Sequence, residues 1–324
     1  MARIFAAILL AALASVSEGT MSLQYRADGK NRWAVFNKLS GKVLSGFVIA
    51  KHQVTSPVWC AQHCLENMDC ASYNVRNAVT CELNNETMAT QNASLQSDPE
   101  GDHYFPAELE YKSCLDHMKA GATDSGIYTI TFSNGARGKV MCDLTSEPNA
   151  AWTLVLSFAF KNRHLEEFYK KPWQFDAPRH SDEPNWDDYR IELAKMQHLV
   201  KQSTHWRATT GLPVYGVDYR DYIRGLLSSL YVFADVEGCR DVEYVNVRGY
   251  SATNSSVYVW QDSPDIPLHI DTDYSYAHCR FKHPNYVTYE NIFGLYSDRE
   301  RNPKFRGSED DGSTTQWWFG GYLN

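Results

Sequence analysis

The chain has 324 residues, of which 43% are hydrophobic and 13% aromatic, enough for two domains with packed cores. Its formal charge of -8 at pH 7 argues against nucleic-acid binding and against electrostatic attachment to anionic lipid, because both require a basic surface. An acidic surface suits a secreted protein or one that binds cations.

The N-terminus has the three regions of a secretory signal peptide. Arg3 precedes the apolar run Ile4–Leu13, and small residues follow at Ala14 and Ser15. We therefore expect residues 1–17 to be a signal peptide rather than a buried first strand or helix. No later stretch approaches 18 apolar residues, so the sequence predicts no transmembrane segment and a secreted, extracellular protein.

The chain has eight cysteines, and in a secreted protein this even number predicts four disulfides. Three tripeptides without a central proline are acceptors for N-linked glycans, and they begin at Asn85, Asn92 and Asn254. The secretory context favours modification of at least one of them.

The first four cysteines lie in a region that we delimit as residues 32–106. Cys60 and Cys64 are four residues apart, which puts both on one face of a helix, one turn from each other. Cys70 and Cys81 supply the partners, and four cysteines allow three connectivities. A zinc site is disfavoured because the protein is expected to be secreted and lacks paired C-x2-C knuckles.

This cysteine spacing, with Cys-x-Ser-Tyr-Asn at 70–74 after the helix, resembles the PAN/apple module. The resemblance implies a small domain with a helix on an antiparallel sheet, nested disulfides Cys60–Cys81 and Cys64–Cys70, and contacts with protein or carbohydrate ligands. The extra outer disulfide of apple domains is absent. We expect a linker at residues 107–112.

The larger second region, residues 113–324, opens with two β-rich runs. They lie at 126–132 and 139–144 and are separated by a Ser-Asn-Gly turn, which predicts a hairpin. Cys114 and Cys142 flank this hairpin. A bond between them would stabilise the fold by roughly 3 to 4 kcal/mol on the loop-entropy model.

The order of features from residue 114 to residue 155 resembles the opening of fibrinogen-like recognition domains. These features are a cysteine, then Gly-Ile-Tyr-Thr-Ile, then Val-Met-Cys-Asp, then Trp-Thr-Leu-Val. The resemblance implies a fibrinogen-related α+β domain for ligand recognition. Beyond Trp152 the usual Phe-Trp-Leu-Gly run and the late cysteine pair of that family are missing.

Periodicity in the rest of the region predicts two helices and several strands. Apolar residues at helical spacing indicate helices at 189–200 and at 219–231. Alternating residues indicate strands at 242–247 and 256–260. Cys239 and Cys279 remain to pair with each other.

Three longer phrases resemble a group of cnidarian secreted proteins described as skeletal organic matrix proteins. The phrases are Trp-x-Asp-Tyr-Arg at 186–190, Ser-Thr-His-Trp-Arg-Ala-Thr at 203–209, and Gly-Ser-Thr-Thr-Gln-Trp-Trp-Phe-Gly-Gly at 312–321. The resemblance implies an extracellular, matrix-associated location. The three aromatics at 317–319 could stack on sugar rings, but core packing is the better interpretation.

One acidic and histidine-rich stretch could hold a metal. Asp271 and Asp273 offer hard oxygen ligands to calcium and loosely follow the Asp-x-Asp calcium site of fibrinogen-like domains, with a solvated acidic loop as the alternative. The facial triad of a non-haem iron enzyme could instead be formed by His269, Asp271 and a later histidine, His278 or His283. Nothing else in the sequence indicates that fold.

No catalytic motif stands out, since the sequence has neither Gly-x-Ser-x-Gly nor His-Glu-x-x-His. The sequence therefore predicts a binding protein rather than an enzyme. Our first hypothesis is an extracellular adhesion or matrix protein that recognises a protein or glycan ligand. A calcium-dependent, lectin-like defence protein is the second, and a secreted metal-dependent enzyme is the third.

Overall fold

The chain divides into two units, residues 1–109 and 110–324. This computed structural model describes residues 14–17, 20–27, 30–88, 91–107, 110–272, 278–285, 292–296 and 301–323. Most of the signal-peptide prediction, residues 1–13, lies outside the described residues. The division between the units falls within 107–112, where the sequence predicts a linker. Among the helices described, none is long and apolar enough to cross a membrane.

The first unit is a seven-stranded antiparallel sheet with one helix. Its elements are β1 Ala14–Ser17, β2 Thr20–Ala27, β3 Lys30–Leu44, β4 Val48–Gln53, α1 Pro57–Glu66, β5 Ser72–Arg76, β6 Thr80–Asn84 and β7 Leu95–Pro106. The strands lie in the order β1-β2-β3-β7-β5-β6-β4. A 3-10 turn at Asn92–Ser94 leads into β7.

Helix α1 is bonded to strand β6 by the Cys60–Cys81 disulfide, and its second cysteine, Cys64, is bonded to Cys70 in the loop after the helix. Pro57 lies in its first turn, where a missing N–H costs no hydrogen bond. Cys60, Ala61 and Cys64 form the buried face. A unit of this size buries a limited apolar core, so covalent anchors at both turns of the helix make a large contribution to its stability.

Beneath the helix lies a buried polar group centred on Asn74. Its Oδ1 accepts the Leu44 N–H at 3.0 Å and its Nδ2 donates to the Leu44 carbonyl at 2.9 Å. His103 Nδ1 lies 2.8 Å from the same Oδ1, which can only accept, so this nitrogen carries the proton. His103 is completely buried, and among the described residues its Nε2 has no hydrogen-bond partner.

We predict that His103 makes the unfolding free energy pH-dependent. Burial lowers its pKa to about 4, whereas an unfolded histidine titrates near pH 6.5. Between these values the unfolded chain binds a proton that the folded chain does not. The contribution is therefore complete above pH 6.5, and about 3 kcal/mol of it is lost as the pH falls to 4.

Denaturant titrations of wild type, His103→Gln and the surface change His164→Gln between pH 7 and pH 4 measure this effect. The wild type and His164→Gln should lose stability over that range by about 3 kcal/mol more than His103→Gln. Equal pH slopes for all three proteins would contradict the assignment.

The second unit is built on an eleven-stranded antiparallel sheet with three short helices. Its elements are α2 Cys114–Lys119, β8 Gly126–Thr131, β9 Arg137–Asp143, β10 Ala150–Ala159, α3 Glu166–Tyr169, β11 Asp188–Arg190, α4 Leu193–Lys201, β12 His205–Thr210, β13 Tyr222–Leu226, β14 Val236–Val247, β15 Tyr250–Asp262, β16 Ile266–Asp271, β17 Ile292–Phe293 and β18 Thr314–Tyr322. The order is β17-β16-β15-β14-β13-β12-β18-β10-β9-β8, and β11 pairs with β10.

The C-terminal strand β18 lies in the middle of this sheet, between β10 and β12. Trp317, Trp318 and Phe319 are each at most 2% exposed, so the aromatic run belongs to the core. Gly320 permits the close approach of β18 to β10, since a Cβ there would lie 2.1 Å from the Ala151 carbonyl oxygen. The sequence GG at 320–321 is therefore a packing requirement.

Two of the predicted helices differ from the observed elements. The first begins at Leu193 rather than at Tyr189, which lies in β11. The second prediction, a helix at 219–231, is wrong because Tyr222–Leu226 forms strand β13 between β12 and β14. Tyr222 and Ile223 point to opposite faces of this strand and both are buried, whereas Leu226 is 37% exposed. A short apolar run buried on both faces has no period that separates strand from helix.

Arg190, the last residue of the Trp-x-Asp-Tyr-Arg phrase, fixes the segment 167–175 that precedes it in the chain. Arg190 is 1% exposed and lies in β11. Its guanidinium donates to the carbonyls of Glu167, Lys171, Pro172 and Phe175 at 2.5 to 3.0 Å. Burial lowers its pKa to about 10, so it stays charged and fixes the segment through backbone acceptors.

The fold class predicted from the sequence is confirmed. Few helices and much antiparallel sheet are present, the first unit is small and disulfide-bonded, and a larger sheet-rich unit follows.

Candidate ligand-binding site

A cavity of about 330 Å³ opens on the second unit beside the end of the β8–β9 hairpin. We call it the tryptophan cleft. Its lining residues are Ser125, Gly126, Met141, Cys142, Asp143, Thr145, Ser146, Trp186, Leu212, Gly216, Val217 and Trp318. Apolar side chains form its walls and three hydroxyl residues lie on one side, the composition that small-ligand sites share.

Under the cleft lies the side chain of Arg207, which strand β12 contributes. This arginine is fully buried, and its Cζ lies 4.6 Å from the ring centre of Trp152 and 4.8 Å from that of Trp318. The guanidinium is thus held between two indoles, which attract a cation through their ring faces. Trp318 belongs both to this sandwich and to the cleft wall.

Arg207 is neutralised by two carboxylates, one from Asp143 at the end of β9 and one from Glu147 in the turn between β9 and β10. Its Nη2 donates to Asp143 Oδ2 at 2.5 Å and its Nη1 to Glu147 Oε1 at 2.8 Å. Nη1 also donates to the Ser146 hydroxyl at 2.9 Å. These bonds fix the turn that supplies one side of the cleft.

Glu147 is the second centre of the same network. Beyond Arg207, it accepts hydrogen bonds from Tyr222 at 2.5 Å, from Tyr322 at 2.7 Å and from Arg224 at 2.8 Å. Strands β12, β13 and β18 all converge on this carboxylate. Arg224 also donates to Glu243 at 3.0 Å, so two guanidiniums and three carboxylates are joined below the cleft.

The pKa values follow from these contacts. Burial alone would raise the pKa of Asp143, but Arg207 and the bonds from Ser146 outweigh it and lower the pKa to about 2. The pKa of Glu147 is likewise lowered, because Arg207 and the two tyrosine hydroxyls overcome its burial. Both carboxylates are ionised throughout the physiological range.

The structure joins the eight cysteines in four pairs. They are Cys60–Cys81, Cys64–Cys70, Cys114–Cys142 and Cys239–Cys279. These are the pairs that the sequence analysis expects. Cys142 also lines the tryptophan cleft, so the Cys114–Cys142 bond holds one of its walls.

Two of the glycan acceptors lie in the first unit and one lies in the second. Asn85 is exposed just after β6, Asn92 begins the 3-10 turn before β7, and Asn254 is exposed in β15. Glycan attachment at these three residues stays a prediction.

The residues proposed for a metal are not brought together within the described ranges. Asp271 ends β16, and Asp273 lies outside the described residues. His269 is buried with its Nδ1 2.9 Å from the Pro267 carbonyl, His283 contacts Arg248, and His278 is exposed. Among the described residues no group of three metal-binding side chains occurs. Calcium at Asp271 and Asp273 stays a prediction.

Comparison with known proteins finds one family match, in the first unit, and two similar relatives. A family model described as the PAN domain matches residues 35–106, which confirms the PAN resemblance. The chain is also similar to tenascin-R of Rattus norvegicus, with 25% identity over 187 residues, and equally to tenascin-R of Mus musculus. The similar stretch covers 56% of this chain and 12% of each tenascin-R.

The stretch similar to tenascin-R is longer than the first unit, so it reaches into the second. This similarity is consistent with the fibrinogen-like resemblance. The PAN domain and the tenascin-R similarity together indicate extracellular adhesion or binding. The cnidarian resemblance stays a prediction.

We predict that Arg207→Met destabilises the protein by about 3 to 5 kcal/mol, because it leaves Asp143 and part of Glu147 buried without their cation. The exposed pair of Lys161 and Asp187 provides the control, since Lys161→Met should leave the denaturant midpoint unchanged. Chemical denaturation of the three proteins at pH 7 measures the difference. A stable Arg207→Met variant would mean that the network does not support the cleft.

Proposed function

We propose that this chain is a secreted extracellular adhesion protein and that its second unit holds a protein or glycan ligand in the tryptophan cleft. The observation that carries the proposal is an open, largely apolar cleft above a buried network of ion pairs and hydrogen bonds. The PAN domain and the similarity to tenascin-R support the extracellular role. The chain spans about 12% of the length of those relatives, so their partners are not transferred to it.

The charges around the cleft favour an uncharged ligand group. Asp143 Oδ1 accepts the Thr145 and Ser146 N–H groups and the Ser125 hydroxyl, while Oδ2 accepts from Arg207. Its lone pairs are occupied and its charge is compensated. A ligand cation would therefore gain little from this carboxylate, and a ligand anion would find no free guanidinium.

The walls favour a ligand group with an apolar face. The indole of Trp186 is partly exposed, and Met141 and Val217 add aliphatic surface. The hydroxyl of Thr145 lies on the exposed rim. An apolar or aromatic side chain of a partner protein, or the face of a sugar ring, would meet complementary surface here.

Binding rather than catalysis agrees with the state of the two carboxylates. A general acid or base needs a pKa near the working pH, whereas the pKa values of Asp143 and Glu147 are both lowered. Their oxygens are held by guanidinium, hydroxyl and backbone donors. The network thus supports a role in positioning the cleft walls.

We propose that the PAN domain provides a second extracellular contact and that the protein is associated with matrix. A calcium-dependent lectin is the alternative that the Asp271 and Asp273 prediction leaves open. A lectin of this kind would bind sugars only when calcium is present, whereas an adhesion protein would bind matrix proteins.

The test is binding of the mature protein to a panel of immobilised matrix proteins and to a glycan array, with calcium and with chelator. Val217→Asp places a carboxylate in the cleft and should weaken binding at least tenfold, about 1.4 kcal/mol. Tyr231→Asp, at a residue 68% exposed and outside the cleft lining, is the charge-matched control and should bind like wild type.

If Val217→Asp and Tyr231→Asp change saturable binding equally, the ligand does not bind in the cleft. Absence of saturable binding to any member of either panel would contradict the adhesion proposal itself. Sugar binding that requires calcium would favour the lectin alternative.

A further inference from the structure

A second hollow, of about 400 Å³, lies on the sheet around Asn254. Strands β14 and β15 and the 3-10 turn Leu227–Ser229 surround it. Asn254 itself lines the hollow and is exposed. It is also the first residue of an Asn-Ser-Ser acceptor for N-linked glycans.

The backbone at Asn254 offers a competing reason for an asparagine. Its φ is 46°, in the left-handed region that asparagine tolerates better than most residues and glycine best of all. An asparagine could therefore be present for conformation alone. A glycine at this position keeps the conformation but removes the acceptor, so the two explanations can be separated.

The wall of the hollow contains groups that suit the first sugar of an N-glycan. The Arg280 guanidinium is held by Asp241 Oδ1 at 2.7 Å and by the Ser255 carbonyl at 3.0 Å. Glu243 adds a carboxylate, and Leu226, 37% exposed, adds apolar surface. N-acetylglucosamine offers an acetamide carbonyl to a guanidinium, hydroxyl donors to carboxylates and a ring face to an aliphatic side chain.

We propose that Asn254 is N-glycosylated and that the first N-acetylglucosamine occupies this hollow as a fixed part of the folded unit. In the modification, the Asn254 amide nitrogen forms a bond to C1 of a lipid-diphosphate-linked oligosaccharide. The bond from C1 to the diphosphate oxygen breaks, and the amide proton leaves with the lipid diphosphate. This inference rests on the secreted location proposed above, but not on ligand binding in the tryptophan cleft.

The test uses the full chain, with Asn85→Gln and Asn92→Gln, secreted from cells that make high-mannose glycans. Mass spectrometry should find the glycan on Asn254. An endoglycosidase then removes everything beyond the first N-acetylglucosamine. The trimmed protein should melt within about 1 °C of the intact one, whereas Asn254→Gly should melt about 2 to 4 °C lower.

Two further variants test the acceptor and the position of the sugar. Ser256→Thr preserves the acceptor and should keep the glycan. Leu226→Ser should lower the melting temperature of the glycosylated protein. It should not lower that of the Asn254→Gly protein, because that protein lacks the sugar that Leu226 contacts.

An unmodified Asn254 would overturn the proposal. So would equal melting temperatures for the intact, trimmed and Asn254→Gly proteins, since the sugar would then make no contact that stabilises the fold. Equal effects of Leu226→Ser in both backgrounds would show that the sugar lies elsewhere. Ligand binding is measured separately, so none of these outcomes bears on the cleft.

Discussion

The buried guanidinium of Arg207 is the interaction on which the second unit depends. Removing a cation from water is unfavourable unless charge and hydrogen bonds replace the lost hydration. Here two indole faces and two carboxylates replace it, and they come from β10, β18, the end of β9 and the turn after it. Those segments cannot move independently while the arginine remains buried.

The same constraint holds several wall residues of the tryptophan cleft in place. Trp318 forms part of the arginine sandwich and part of the cleft wall, and Asp143 and Ser146 likewise belong to both. Because these side chains are held from below, a ligand need not order them. A preformed site loses less conformational entropy on binding than a flexible one.

The two units are stabilised in different ways. The first combines two disulfides with a small apolar core and the buried group of Asn74 and His103. The second has a much larger apolar core, and its C-terminal strand lies in the middle of the sheet. Its central pairing therefore forms between residues far apart in sequence, and the nine residues of this strand complete the core.

Local patterns in the sequence were sufficient for some features. Cysteine spacing predicts the helix of the first unit, and the Ser-Asn-Gly turn predicts the β8–β9 hairpin. The predicted helix at 219–231 is wrong because Ile223 and Leu226, which have helical spacing, lie on opposite faces of strand β13. Ile223 is buried, whereas Leu226 is 37% exposed.

The candidate site was harder to predict because its residues are distant in sequence. Arg207, Glu147 and Tyr322 meet only when β12, the β9–β10 turn and β18 assemble. One signal was present, since Arg207 interrupts the apolar pattern of Trp206 and Ala208 in a strand. An arginine in such a run requires a buried anionic partner, but sequence alone does not identify which carboxylate provides it.

Hydrogen–deuterium exchange tests the central claim, that the ligand binds in the tryptophan cleft, most directly. The full chain would be compared alone and with the tightest-binding member of the matrix-protein and glycan panels. Our account predicts slower exchange in the backbone amides of 141–146 and 212–217, which line the cleft. Ligand-dependent protection confined to other segments, with these two unchanged, would contradict it.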